Sequence, residues 1–295
     1  MFTLLSLDSF ILTGENVRRW CNGMFSNNIR ALQPFQGKPS AMCDDRGRII
    51  GFVDTYCIDD THFQCVLNGS SLDWFQTKFK MVLFLDDIEV EEEQEGLIHI
   101  FGPQSVQIFE QLHWNLASDR MYQQFGAFTV LSNNRFQEEG FDIIAEPQDL
   151  KQLQEQLLAL GEQEIDEITL ENLRIQRNIP KYPNDFTDKS FIHEYGLDKT
   201  HCAFNKGCYV GQEIINRMDL KQLAPRKLCL LKIEGSAQVG MTLQVDSSSN
   251  TVGEISSLSQ SIPQFALAVM KKNVAVVGSI FSMENGTASI EAVVD

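Results

Sequence analysis

Short apolar runs broken by charged or glycine-containing turns fill most of the chain, and only a few stretches carry the three-to-four spacing of an amphipathic helix. Residues 2–12 read as a strand, and Gly14-Glu15-Asn16 opens a helix with Val17, Trp20, Met24 and Phe25 on one side. Asp44-Asp45-Arg46-Gly47 is a turn, and IIGFVDTYCI and HFQCVLN are β-branched and aromatic runs that predict antiparallel sheet. Ser70 to Phe79 predicts a short helix, GLIHIFGP a strand, and Gln104 to Leu112 a second helix. FTVLSN and FDIIAEP follow as strands, and Asp149 to Leu160 has leucines at helical spacing.

Beyond Ile168–Ile175, a further helix, the texture changes. RNIPKYPNDFTDKSFI is a proline-containing loop of about sixteen residues, a length at which loops in compact domains tend to be functional or mobile. After Pro225 come KLCLLKIEG, MTLQV, TVGEISSLS, FALAVM, AVVGSIFSM and TASIEAVVD, separated by Gly and Ser turns without a helix signal. That spacing predicts a small six-stranded barrel. The expected organisation is an α+β body over residues 1–222 and a β-barrel domain over 225–295.

Composition narrows the partners. The chain has 295 residues, 43% hydrophobic and 22% charged, with a formal net charge of −16. Such an acidic chain repels phosphate backbones, so direct nucleic-acid binding is not expected. The acid run Asp86–Glu95 alternates with Ile88 and Val90 and reads as a solvated hairpin tip, not as a cation site or docking patch. No apolar run approaches the roughly 18 residues of a membrane span, and the start reads as a strand, not a secretory signal. Seven scattered cysteines without a Cys-x-x-Cys pair argue against a disulfide framework and for the cytoplasm. No metal-ligand set is read from the spacing.

The most informative string is NKGCYVGQE, Asn205 to Glu213. Its two glycines, Gly207 and Gly211, permit backbone conformations forbidden to other residues. GQEIINRM reads as a helix, so Cys208 falls just before a helix start, where the dipole and Lys206 would favour the thiolate. Glu213 falls in the first turn, where it can reach back to cap. The Gly-Lys-Ser/Thr ending of a phosphate loop is absent. On chemistry alone Cys208 is a nucleophile without an assignable base, one ligand of a metal or cluster, or a buried structural cysteine.

KGCYVGQE resembles the signature of the YgfZ family, folate-binding relatives of the glycine-cleavage T-protein (aminomethyltransferase) that assist maturation of iron–sulfur proteins. Other segments agree in order: LDSFILTGENVRRWCNGMFSNNI, CDDRGRII, FGPQSVQIFEQL, LENLRIQRNIPKY, and the barrel strands RKLCLLKIEG, VGEISS and ALAVM. The resemblance spans roughly residues 4 to 290. It implies an aminomethyltransferase-like body that binds tetrahydrofolate or a one-carbon derivative, with a C-terminal six-stranded barrel. It further implies Cys208 as the key thiol, with Lys206 beside it in the catalytic set.

The cofactor-binding residues implied by the resemblance are Phe10, Asn68, Glu138, Leu170, Arg174, Tyr209, Gln212 and Glu213. For Asn68 a turn residue, and for Glu138 a solvated loop acid, are the plain alternatives. Arg174 and Arg177 pair either with folate carboxylates or in surface salt bridges. The departures bear on the reaction. Gly51-Phe52 stands where the T-protein has an Asp-Asp pair, so the acid serving aminomethyl transfer is missing there; Asp54 lies three residues on. Of two aromatic pocket positions, Phe10 is retained and the other is Leu170, a loss worth ~1 kcal/mol of stacking. His193 replaces proline and Asn178 replaces glycine.

The function this implies is an accessory protein for iron–sulfur cluster assembly or repair, acting on tRNA modification through client enzymes or assembly proteins. A folate-dependent one-carbon (aminomethyl) transferase and a non-catalytic interaction module are the alternatives.

Overall fold

The computed structural model describes residues 1–92, 96–245 and 250–294. In chain order come β1 (Phe2–Leu5), β2 (Ser9–Thr13), α1 (Val17–Met24), β3 (Gly37–Cys43), β4 (Ile49–Cys57), β5 (His62–Asn68), α2 (Leu72–Leu85), β6 (Glu89–Glu92), β7 (Gly96–Phe101) and α3 (Ser105–Gln111). Then follow β8 (Tyr122–Phe125), β9 (Phe128–Ser132), β10 (Gly140–Ala145), α4 (Pro147–Ala159), α5 (Glu167–Gln176), a 3-10 turn (Ile192–Glu194), α6 (Asp198–His201) and α7 (Gln212–Lys221). The last strands are β11 (Arg226–Gly235), β12 (Thr242–Gln244), β13 (Thr251–Leu258), β14 (Phe265–Lys271), β15 (Ile280–Met283) and β16 (Gly286–Val293).

The strands make two five-stranded sheets, β1-β7-β10-β9-β8 and β3-β4-β5-β2-β6, and a closed barrel, β11-β14-β13-β12-β15-β16. The expected α+β class and six-stranded barrel are what the chain adopts. The expected first strand is two strands in different sheets: β1 pairs with β7, and β2 with β5 and β6. Asp8 marks the break. Its backbone carbonyl accepts the Leu67 N–H at 2.9 Å and its carboxylate the Leu72 N–H at 2.7 Å, so the acid that interrupts the apolar run redirects the chain.

By compactness the chain forms two units. The first comprises Met1–Met42, Gly51–Asp166 and Asn205–Tyr209; the second comprises Cys43–Ile50, Glu167–Phe204 and Val210–Asp295. The expected break at 222–225 marks where the barrel strands begin, but the barrel's unit reaches back to α5. The reason is polar. Arg174 on α5 donates to Ser257 of β13 at 2.7 Å, and Ser257 donates to Asp185 at 2.7 Å.

In the first unit, α1 buries Val17, Trp20 and Cys21, and the Trp20 ring meets Phe25 and Phe79 edge-on, each at 5.7 Å. Helix α4 buries Leu150, Leu153 and Leu157, the leucine stripe seen in the sequence, against the sheet core of Phe2, Ile98 and Ile143. Helix α2 runs on past Phe79 to Leu85; Ser71 caps it by accepting the Trp74 N–H at 3.2 Å. In the second unit the barrel closes over Cys229, Leu231, Ile255, Met270 and Phe281. Within the acid run, Glu89, Glu91 and Glu92 are exposed on β6, as a solvated strand end requires; Glu93, Gln94 and Glu95 lie outside the described residues.

Candidate functional site around Cys208

Of the seven cysteines, Cys208 is the exposed one and the other six are buried. Burial pushes the Cys21, Cys43 and Cys65 thiols well up, and that of Cys229 up to about 12, so these sulfurs stay protonated near neutrality. The alternative of a buried structural cysteine is thereby set aside for Cys208. Its neighbour Lys206 is fully engaged. The ammonium donates to the carbonyls of Asn22 (2.7 Å), Phe25 (2.6 Å) and Asn27 (2.5 Å), where α1 ends. Three donors on three carbonyls exhaust an ammonium. Lys206 also lies 4.8 Å from the centroid of the buried Tyr209 ring. The three hydrogen bonds of the ammonium anchor the motif to the end of α1.

The motif's two glycines divide the work unequally. Gly211, the N-cap of α7, has φ +83°. A Cβ there would lie 2.7 Å from the Asp44 carbonyl oxygen and 2.9 Å from Gly47 Cα. The Asp44–Gly47 turn is itself rigid: the Asp44 side chain accepts the N–H groups of Arg46 (3.0 Å) and Arg48 (2.8 Å). Two segments far apart in sequence, CDDRG and VGQE, thus meet backbone to backbone. Gly207 has no such need. Its nearest neighbour to a built Cβ is Asn22 Nδ2 at 4.0 Å, so the expected conformational reason does not apply. Gln212 and Glu213 occupy the first turn of α7, half-buried and exposed respectively, and among the described residues no side chain caps that helix.

Several residues assigned to folate by resemblance are committed elsewhere. Phe10 is 0% exposed, with its ring 4.8 Å from Phe75. The Asn68 amide donates to Asp54 at 3.0 Å and accepts a short hydrogen bond from Arg135. Arg174 is 5% exposed, and its five N–H groups are all taken, by Glu171 (twice), the Ile179 carbonyl, Asp185 and Ser257. It is neither a ligand arm nor a surface bridge but a buried tie. Leu170, Glu138 and Arg177 are half-buried.

A tetrahydrofolate would need an aromatic face for its pterin, and neither position of the expected pair supplies one: Phe10 is sealed in the core and Leu170 is aliphatic. The fit to a stacked pterin fails at these two residues.

At Gly51 a side chain would require the Met42 and Ser70 side chains to shift. A Cβ would lie 2.8 Å from Met42 Cε and 3.1 Å from Ser70 Oγ. Asp54 faces inward, and its carboxylate accepts from Asn68 and from Asn133 (2.9 Å), with Arg135 at 3.3 Å.

The rest of this network involves residues that the sequence motifs do not single out. Arg135 grips Asp142 through Nε at 2.9 Å and Nη2 at 2.6 Å, and His99 Nδ1 meets Asp142 at 2.8 Å. Burial works against the Asp142 carboxylate, but the Arg135 charge and the His99 contact hold its carboxyl well below the usual range. Burial lowers the pKa of His99, with Asp142 opposing. A signal was available: single polar residues inside LIHIF and FDIIA, paired across β7 and β10.

Two departures from the family pattern have structural correlates. Asn178 has φ +56°, the conformation a glycine would take and one that asparagine tolerates better than most. His193, in the 3-10 turn, is buried. Burial lowers its pKa, while Asp198 and Asp219 oppose.

Two antiparallel-rich sheets and a closed six-stranded barrel make an aminomethyltransferase-like fold. The family model of the GCVT N-terminal domain matches residues 1–206, and the chain belongs to that family. The crystal structure of glycine cleavage system aminomethyltransferase T from Bartonella henselae superposes with a TM-score of 0.87 at 15% identity, covering 99% of this chain and 84% of that one. An aminomethyltransferase from Staphylococcus epidermidis is 22% identical over 306 residues, 99% of this chain and 84% of that protein. The chloroplastic protein At1g60990 of Arabidopsis thaliana, provisionally named a transferase, is 23% identical over 294 residues, 95% of this chain and 67% of its own length. Among the described residues no helix is long and apolar enough to cross a membrane.

Proposed function

We propose that this protein is an accessory factor on the aminomethyltransferase-like fold, working through the Cys208 thiol in iron–sulfur cluster assembly or repair. Client iron–sulfur enzymes, among them those that modify tRNA, would be its protein partners, and the cytoplasm its compartment. The single observation that carries the reading is the exposure of Cys208 while six other thiols are buried. The YgfZ-like signature around that cysteine supplies the link to iron–sulfur clients. Aminomethyl transfer is disfavoured by Gly51-Phe52, where the acid of the T-protein is absent. Tetrahydrofolate, or a one-carbon derivative, is proposed as a ligand held by polar contacts without aromatic stacking. Of the assigned residues, Glu138 and Gln212 are half-buried polar groups and Glu213 is an exposed one.

Complementation of a deletion strain tests the thiol. Cys208→Ser should fail to restore iron–sulfur enzyme activity while accumulating as folded protein; full rescue would end the proposal. Anaerobic titration with tetrahydrofolate, followed by intrinsic fluorescence, tests the ligand. Saturable binding that survives Cys208→Ser supports it. Absence of binding in both proteins favours an interaction module that kept the fold and lost the ligand, a reading supported by the sealed Phe10.

A further inference from the structure

Away from the cysteine, three side chains converge in the second unit: His193 from the 3-10 turn, Asp198 from α6 and Asp219 from α7. One ligand atom from each lies within 4.8 Å of the others. His193 is 7% exposed, and among the described residues neither ring nitrogen has a hydrogen-bond partner. A buried imidazole normally pairs at least one nitrogen, so the unpaired lone pair of this ring beside two half-buried carboxylates fits a Lewis-acidic ion.

We propose that His193, Asp198 and Asp219 bind one divalent transition-metal ion of the zinc class. One imidazole nitrogen and two carboxylate oxygens form a mixed donor set suited to zinc, and a three-ligand site leaves a coordination position for water. Magnesium and calcium are the poorer match, because they favour an all-oxygen shell. Ligand atoms 4.8 Å apart at most must close by up to about 1.4 Å, within reach of side-chain rotation, to meet the separations set by metal–ligand bonds of about 2.0–2.2 Å. The charges also suit a dication: Asp198 and Asp219 neutralise it, and nearby Glu194 is already held by Arg226 at 2.9 Å. Lys227, the remaining charge acting on His193, opposes binding and tempers the affinity. In sequence the three ligands bracket the Asn205–Glu213 motif, two before it and one after. A bound ion would tie together the turn, α6 and α7, the elements on either side of the functional string.

The test uses the full chain, stripped with a chelator and then titrated with Zn²⁺ against a chromophoric competitor. One equivalent should bind and raise the thermal unfolding midpoint relative to chelated protein. His193→Ala and Asp219→Asn should each weaken binding by more than about 100-fold, beyond the loss typical of removing only an outer-sphere partner. Asp198→Asn should weaken binding likewise, and circular dichroism checks that all three variants fold. Co²⁺ substitution separates this site from the thiols, because an N/O shell lacks the intense near-ultraviolet band of a cobalt–thiolate bond. No stoichiometric Zn²⁺ in the wild type, equal binding in folded variants, or a thiolate band would each overturn the proposal.

Discussion

Gly211 lies directly against the backbone of Asp44: a Cβ on the glycine would sit 2.7 Å from the Asp44 carbonyl oxygen. This contact joins the start of α7 to the turn between β3 and β4, and neither partner can retreat. The turn is held by the Asp44 side chain, and Gly47 on its other side meets Ile214 Cβ at 3.1 Å from its own built Cβ. Gly211→Ala adds both a clash and a strained positive φ, so it should cost about 2 kcal/mol or more in urea unfolding. Gly207→Ala, with open space at its Cβ, should change stability by less than about 0.5 kcal/mol. Equal losses in the two variants would refute this division of roles.

Cys208 is exposed and makes no packing contribution comparable to the six buried thiols. Cys208→Ser should leave the unfolding midpoint within about 0.5 kcal/mol of wild type. Cys229→Ser places a hydroxyl in the barrel core and should cost about 1–3 kcal/mol. Thermal scans of both proteins check the contrast. A Cys208→Ser protein that unfolds early would make that cysteine structural.

Arg174 and Asp185 form a buried pair, with side chains 6% and 0% exposed and an N–O distance of 2.9 Å. Arg174→Met strands the Asp185 charge in the interior, and the expected loss is about 3–5 kcal/mol. The Arg19–Asp86 pair is solvent-exposed on the arginine side at 72%, and Arg19→Ala should cost less than about 1 kcal/mol. Tetrahydrofolate affinity, where measurable, should track Arg174 only through unfolding. A well-folded Arg174→Met protein that selectively loses folate would show the arginine to be a ligand arm after all.

Acid should destabilise the first unit in two stages of the same sign. His99 is held neutral by burial, so its folded pKa lies below the unfolded value of about 6.5; between the two the unfolded chain binds the extra proton, and stability falls as pH falls. Asp142 has a depressed folded pKa. Its contribution is whole above the unfolded value of about 3.9 and is lost as pH falls through the folded one. Urea midpoints measured between about pH 7 and 5 should therefore decline, and His99→Gln should flatten that decline. An unchanged slope in His99→Gln would exclude His99 as a source.

Much of the fold was legible from local pattern. The leucine stripe of α4, the Asp44–Gly47 turn, the apolar face of α1 and the run of barrel strands each follow from periodicity or turn chemistry within a dozen residues. AVVGSIFSM overreached, since only Ile280–Met283 of it is strand. The Cys208 string was legible as a motif, and its exposure was not.

What escaped the sequence depends on partners remote in the chain. Phe10 reads the same whether it lines a pocket or meets Phe75, and Arg174 the same whether it awaits a carboxylate or already holds Asp185 and Ser257. The three hydrogen bonds of Lys206 go to carbonyls some 180 residues away in the chain, at separations of 184, 181 and 179, which no local pattern announces.

By itself, then, the sequence determined the elements, the barrel and the thiol's setting, because backbone propensity and hydrophobic period act locally. Which polar groups are already satisfied, and hence which remain free to meet a ligand, was decided by tertiary structure, because a buried donor is paired by proximity in space, not in sequence.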